Sequence, residues 1–278
     1  MSRSALRSLT PSLTALVLAA TVVACGTRDP QTDAEKAARG RELVAQMDAK
    51  LAGAKAFSVH TNEARTQVRQ SGKTEEVPLQ RDFVIRRPDR LHFKSSGGQD
   101  AEGWYDGVGL TVALHKQKVF AQARMPETLD RALDAIQERY GISLPVGDLL
   151  YSSPAKALIT DGTQGGWVGQ ETINGVSTEH VAFTDRGVEW ALWIPSTGDP
   201  LPVRLIATFP NDKRTRHVDV TFSNWNLSPA ADDKVFDASV PPDYEGIAMI
   251  QRASVLAYKE GAQGTTPAAP AAAPTPKK

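Results

Sequence analysis

The feature that most constrains this chain is a two-residue apolar period, repeated in short runs from Phe57 to Phe222. Val77, Leu79, Phe83 and Ile85 share one parity, interrupted by Arg81, and Leu91 and Phe93 alternate with Arg90, His92 and Lys94. Val108, Leu110, Val112 and Leu114 repeat the pattern against Gly109, Thr111, Ala113 and His115. Successive strand side chains point to opposite faces, so these runs are half-buried strands with one apolar side. Between them stand Ser71-Gly72, Arg87-Pro88-Asp89, Gly97-Gly98 and Asp106-Gly107, residues that favour tight turns. Close strands joined by short turns predict an antiparallel meander.

The period changes twice. Thr32-Asp33-Ala34-Glu35 is a capping-box pattern, and Leu43, Val44, Met47 and Leu51 then recur at helical spacing. A second helical stretch interrupts the strands, opening at Pro126-Glu127 with the stripe Leu129, Leu133, Ile136 and Tyr140. The apolar segment Ile142 to Tyr151, broken by Pro145 and Gly147, predicts a loop with a short helix, and another follows around Pro154 to Ile159. Strands resume at Trp167 to Ile173, turn at Asn174-Gly175, and continue through Val181 and Phe183. The last runs are Val188 to Ile194, Val203 to Phe209 and Val218 to Phe222. The fold class is therefore α+β: a curved antiparallel sheet of about 10–11 strands, five or six before the helical insert and about five after, with helices gathered on one face.

The ends are of a different kind. Arg3 and Arg7 precede the uncharged segment Leu13 to Ala24, the pattern of a signal peptide and too short for a spanning helix, which needs ~20 apolar residues. Val22-Val23-Ala24-Cys25 resembles the lipobox of bacterial lipoproteins, and Cys25 is the only cysteine. This resemblance implies cleavage before Cys25 and lipid on its sulfur; the alternative is an ordinary signal peptide with an incidental cysteine. Each buried acyl CH₂ contributes ~0.8 kcal/mol, so several chains make a lasting anchor. Gly26 is not the aspartate that marks inner-membrane retention in enterobacterial lipoproteins, which favours the outer membrane. At the other end, 261–278 is Ala, Pro, Thr and Gly with one Gln and two terminal lysines, a segment with nothing to bury. It is read as a solvated tail or as a wall-spanning or partner-binding one. The organisation expected is signal peptide 1–24, lipidated linker 25–31, folded domain 32–260 and tail 261–278.

Removing residues 1–24 takes away Arg3 and Arg7 and no acid, leaving 30 basic against 32 acidic residues. So even a balance argues against nucleic acid, whose phosphates call for a basic face. His60, His92, His115, His180 and His217 fall singly, without metal-ligand spacing. There is no Gly-x-Ser-x-Gly elbow and no phosphate-cradling loop, and no acid–base pair can be singled out from 32 carboxylates. The expectation is no enzyme, no cofactor and no metal.

Arg87-Pro88-Asp89-Arg90-Leu91-His92-Phe93, then Tyr105-Asp106-Gly107 and Lys118-Val119-Phe120, resemble the strand starts of LolA-type lipoprotein carriers. A closer resemblance is to the predicted periplasmic proteins of domain of unknown function 2092. It rests on Arg87 to Leu91, Tyr105 to Gly107, Arg139 to Tyr151, Trp190, Trp193, Pro200-Leu201-Pro202 and Phe222 to Pro229, and covers nearly all of 40–245. It implies a LolA/LolB-like unclosed barrel with an apolar hollow under helices, a fold that RseB-type regulators share. Val108 departs from the carriers' lysine, and a cysteine anchor departs from a soluble shuttle. The membrane-fixed acceptor type is the nearer likeness.

On that model, Trp104, Leu110, Val112, Phe120, Leu129, Leu133, Ile136, Leu149, Leu150, Trp190, Leu205 and Phe222 are the residues lining or covering the hollow. The helical stripe is either a lid over it or a plug that fills it. Trp190 and Trp193 have opposite parity, so only one faces inward. Arg86, Arg87 and Arg90 are read either as a clamp for phosphate or carboxylate head groups or as charges that keep a sheet edge from pairing. The functions weighed are binding of an acyl chain or a lipoprotein's lipid by a membrane-tethered module, and an envelope protein-interaction or sensor module without ligand transfer.

Overall fold

The computed structural model describes residues 28–249, apart from 69–70, 99, 143–145 and 212–214. Cys25, the leader and the tail lie outside the described residues. Helix α1 (Asp33–Gly53) begins as its sequence dictates: Thr32 Oγ1 accepts from Glu35 N at 3.2 Å, and Glu35 Oε2 accepts from Thr32 N at 2.8 Å. Six strands follow: β1 (Ala56–Val68), β2 (Thr74–Arg86), β3 (Arg90–Gly97), β4 (Ala101–Tyr105), β5 (Gly109–Leu114) and β6 (Val119–Arg124). The insert is α2 (Leu129–Tyr140), α3 (Gly147–Leu150) and α4 (Pro154–Leu158). Then come β7 (Gln164–Ile173), β8 (Val176–Asp185), β9 (Val188–Pro195), β10 (Arg204–Thr208) and β11 (Thr215–Asn226). Last are α5 (Asp233–Phe236) and β12 (Glu245–Ala248).

All the strands form one sheet in the order β12-β6-β5-β4-β3-β2-β1-β11-β10-β9-β8-β7, so its two ends do not meet. The pairing is antiparallel except for β12, which runs parallel to β6 and was not foreseen from sequence. Nothing in its pattern announces a strand, since all four residues are exposed. Tertiary ties place it: Glu245 N donates to Lys118 O, His115 Nδ1 and Tyr244 Oη lie 2.8 Å apart, and Lys118 pairs with Asp243. Helix α2 also starts later than expected. Pro126 lies ahead of the helix, its carbonyl accepting from Tyr105 Oη, and Thr128 supplies the cap to Arg131 N.

Register fixes the two faces. Val59↔Phe83↔Phe93↔Gly103↔Val112 and Val220↔Leu205↔Leu192↔Val181 are aligned rows on the concave side. Helix α1 lies on that side against β7, burying Leu43, Val44, Met47 and Leu51. The approach is close because two glycines meet: a Cβ on Gly40 would stand 2.6 Å from Gly166 Cα, and one on Gly166 2.3 Å from Lys36 O. One polar patch sits on the same floor. Glu63, its side chain fully buried, accepts from Arg65 Nη2 at 2.6 Å and from Arg81 Nη1 at 3.0 Å. Burial brings the Arg81 guanidinium down to about 10 despite the pull of Glu63.

Candidate functional site: a groove beneath the helical insert

The concave floor is not uniformly filled. Under α1 and α3 the interior is closed by Met47, Leu51, Phe57, Ile85, Leu149 and Leu150, all at most 2% exposed. Beside it, between the insert and strands β9–β10, lies a groove of about 640 Å³. This is within the range of small-molecule pockets, ~300–1,000 Å³. Val188 and Trp190 of β9, Leu205 and Ala207 of β10 and Phe209 form an apolar floor, with Leu133 and Leu158 from the helices above. Asp130, Asp134, Asp148, Lys156, Asp185 and Arg186 also line it.

The expected lining residues therefore divide. Leu133, Trp190 and Leu205 border the groove while being buried members of the core themselves. Leu110, Leu129, Ile136, Leu149, Leu150 and Phe222 are buried in the continuous core, and Val112 packs against it. Trp104 and Phe120 were expected in the hollow and are on the other face: Trp104 pairs with Thr111 and Phe120 with Ala113, out of parity with Leu110 and Val112. Trp104 instead stacks on His92, ring centroids 5.7 Å apart, and Phe120 lies opposite Gly246 of β12. Trp190 and Trp193 part as parity requires. Trp193 is on the convex side, stacked on His180 at 4.3 Å, beneath the Arg204 guanidinium at 5.0 Å and donating to Glu171 Oε2.

The arginine cluster does not protect a sheet edge, since β2 and β3 are interior strands. Nor do its three members converge. Arg86 reaches over the Phe236 ring to Ala231 O and Asp233 on the convex side, and Arg90 pairs with Asp89. Arg87 enters the covered side. Its guanidinium lies 5.6 Å from the Phe57 ring centroid and donates to Leu150 O at 3.2 Å and Tyr151 O at 2.7 Å. Burial lowers its pKa against the opposing pull of Asp130 and Asp48, and its buried Nε has no hydrogen-bond partner among the described residues.

Arg87 is thus one of several polar groups that grip the α3–α4 junction. Asp48 Oδ1 of α1 accepts from Ser153 Oγ at 3.0 Å and Ala155 N at 2.9 Å. Asp130 of α2 accepts from Ser152 N at 2.8 Å and from Ser152 Oγ, and Asp134 from Tyr151 Oη at 2.7 Å. Burial, then the bond to Asp134, pushes the Tyr151 phenol up. The cover of the groove is held to the barrel by charge-assisted hydrogen bonds in addition to its apolar stripe. Sequence reasoning did not find Asp48, Asp130, Asp134 or Asp148. Among 32 carboxylates nothing local distinguishes them, because their partners are up to 107 residues away.

Among the described residues no group of three or more His, Cys, Asp or Glu side chains is placed to hold a metal ion, and no helix is long and apolar enough to cross a membrane. The arrangement brings apolar side chains and several charged ones to the wall of one concavity.

Fold and groove define an α+β protein built on an unclosed half-barrel with a partly vacant, helix-covered hollow. The chain belongs to the predicted periplasmic protein family DUF2092, whose model matches residues 40–250. Among curated proteins no sequence matches it. Similar solved structures include an uncharacterized conserved protein from Thermus thermophilus, with 9% identity and a TM-score of 0.45 over 75% of this chain and 98% of that one. LprF from Mycobacterium bovis has 14% identity and a TM-score of 0.44 over 75% and 99%. A LolA superfamily protein from Nitrosomonas europaea has 14% identity and a TM-score of 0.39 over 72% and 98%.

Proposed function

We propose that this protein is a lipid-anchored envelope module, tethered through Cys25 to the periplasmic face of the outer membrane, that binds an acyl chain or a similar aliphatic ligand in its groove and does no chemistry on it. The observation that carries the reading is the groove of about 640 Å³ bordered by Val188, Trp190, Leu205, Ala207 and Phe209 beneath the helical insert. A concave, ligand-sized site with an apolar floor is one that an aliphatic chain would fit. The lipobox-like segment before Cys25 supports the tether.

Native mass spectrometry of gently purified protein is the direct test, followed by titration with a fluorescent fatty acid. Co-purified lipid displaced by the probe is the expected result. Protein that is empty and ignores the probe would overturn the binding reading. If that empty protein also gave one specific crosslinked envelope partner in cells, the interaction-module alternative would replace it. For the tether, the expected result is that Cys25→Ser abolishes labelling by a palmitate analogue and moves the protein out of the membrane fraction.

A further inference from the structure

Arg81 breaks the apolar parity of β2, and the polar patch it joins on the concave floor has a charge left over. Thr61, Glu63 and Arg65 share one parity of β1; Thr61 pairs with Arg81, and Glu63 and Arg65 lie opposite Val220 and Val218 of β11. The Glu63 carboxylate is the common acceptor. Thr61 Oγ1 donates to it at 3.2 Å, Arg65 Nε at 3.0 Å and Nη2 at 2.6 Å, and Arg81 Nη1 at 3.0 Å. The Glu63 side chain is wholly covered, and those of Arg65 and Arg81 keep 13% and 11% exposure. Two guanidiniums thus share one carboxylate, and the charges that act on Arg81 are Glu63 and, against it, Arg65. Donors are left over as well. Arg81 Nε and Nη2 and Arg65 Nη1 have no acceptor among the described residues. The wholly buried side-chain atoms without a partner are Arg87 Nε and Ser196 Oγ, so these three nitrogens keep contact with solvent.

We propose that Arg65 and Arg81 hold an oxyanion, a carboxylate or phosphate group, on the free nitrogens that Glu63 leaves them. A buried charge needs a counter-charge or water, and here Glu63 supplies one negative charge to two positive ones. Water solvates the excess poorly at these exposures. Burial already costs Arg81 enough to bring its guanidinium down to about 10, and an anion beside it would offset that cost. The chemistry of the donors fits, since a planar guanidinium presents paired N–H groups to paired oxygens. Glu63 fixes the position of both arginines, and Thr61 in turn holds Glu63. The oxyanion site stands independently of the aliphatic-chain reading of the groove. A free phosphate ion and the head group of an acyl ligand carry the same chemistry, so inorganic phosphate and laurate serve as separate probes.

Calorimetric titration of the mature chain carrying Cys25→Ser with each probe, at fixed ionic strength in a chloride background, tests the site. Saturable binding of at least one probe is expected, weakened on the order of tenfold by Arg81→Met. Arg81→Lys, which keeps the charge and loses the fork, should fall between that variant and the parent. Glu63→Gln keeps the shape and removes the one acid, so it should tighten binding. If Arg81→Met does not fold, the opposite shifts of Arg81→Lys and Glu63→Gln carry the test. Laurate that competes with phosphate and responds to the same substitutions assigns the site to a ligand's head group; phosphate binding without laurate assigns it to a free ion and leaves the site standing without the chain-binding reading. No saturable binding of either probe would overturn the site. So would binding that ignores Arg81 and Glu63, and laurate bound in that way would leave the groove alone as its seat.

Discussion

The two corners of the hollow share one apolar core and are finished differently. Under α1 and α3 the space is closed by side chains that interlock, with Met47, Leu51 and Phe57 wholly buried. Under α2 and α4 a groove remains, and the cover above it is fastened by Arg87, Asp48, Asp130 and Asp134 at the α3–α4 junction. Dispersion and hydrophobic burial reward filling every gap, so they leave no room for a guest. Directional hydrogen bonds hold a cover at a distance without filling what lies beneath it. One curved sheet can therefore be a core at one corner and a receptacle at the other.

The contrast is sharpest for truncations. Met47→Ala in the closed corner should destabilise the protein by ~2–5 kcal/mol, and Val188→Ala at the groove should fall below that range, because Val188 is only half-buried. Chemical denaturation of both variants checks this, and equal losses would break the distinction. Next in size is Gly166→Ala. Its Cβ would stand 2.3 Å from Lys36 O, so α1 must shift from β7, at ~1–3 kcal/mol in the same assay.

Arg87→Met probes the fastening. Loss of the two donor bonds to Leu150 O and Tyr151 O should cost about 1–3 kcal/mol. Its more telling readout is faster hydrogen exchange and proteolysis at 146–155 with α1 unchanged; uniform loosening of the whole chain would argue that the cover has no separate stability.

The smallest effect is expected at Asp148. Its pKa is raised from 3.8 to about 6 in the folded protein, so the fold binds that proton more tightly than the unfolded chain does. Stability should fall as pH rises from about 4 to 6, and Asp148→Asn should be more stable than the parent at pH 7 and no more stable below about pH 4. Arg186 pulls its pKa the other way, and Tyr151 is the other group that feels its charge. Melting temperatures of both proteins across this range read the difference; parallel curves would remove Asp148 as an unpartnered charge.

Much of this architecture was legible along the chain. The capping box at Thr32, the two-residue period from Phe57 and the turn at Asn174-Gly175, both residues at positive φ, are local and formed as read. The opposite facing of Trp190 and Trp193 followed from parity alone. Trp104 and Phe120 were misplaced because parity within a strand does not carry across a turn; pairing with Thr111 and Ala113 decides the face. Arg87 could not be told from Arg86 and Arg90 by sequence, since its partners Leu150 and Tyr151 come from beyond an intervening run of strands and a helix.

The sequence by itself determined the alternation that makes an apolar-sided sheet and the helical stripes that must cover it, because periodicity and capping act over a few residues. Only the tertiary structure decided where the cover seals and where it stands away from the floor, and which carboxylates surround that gap. Those outcomes depend on register across distant strands and on contacts between residues up to 107 positions apart, which no local pattern encodes.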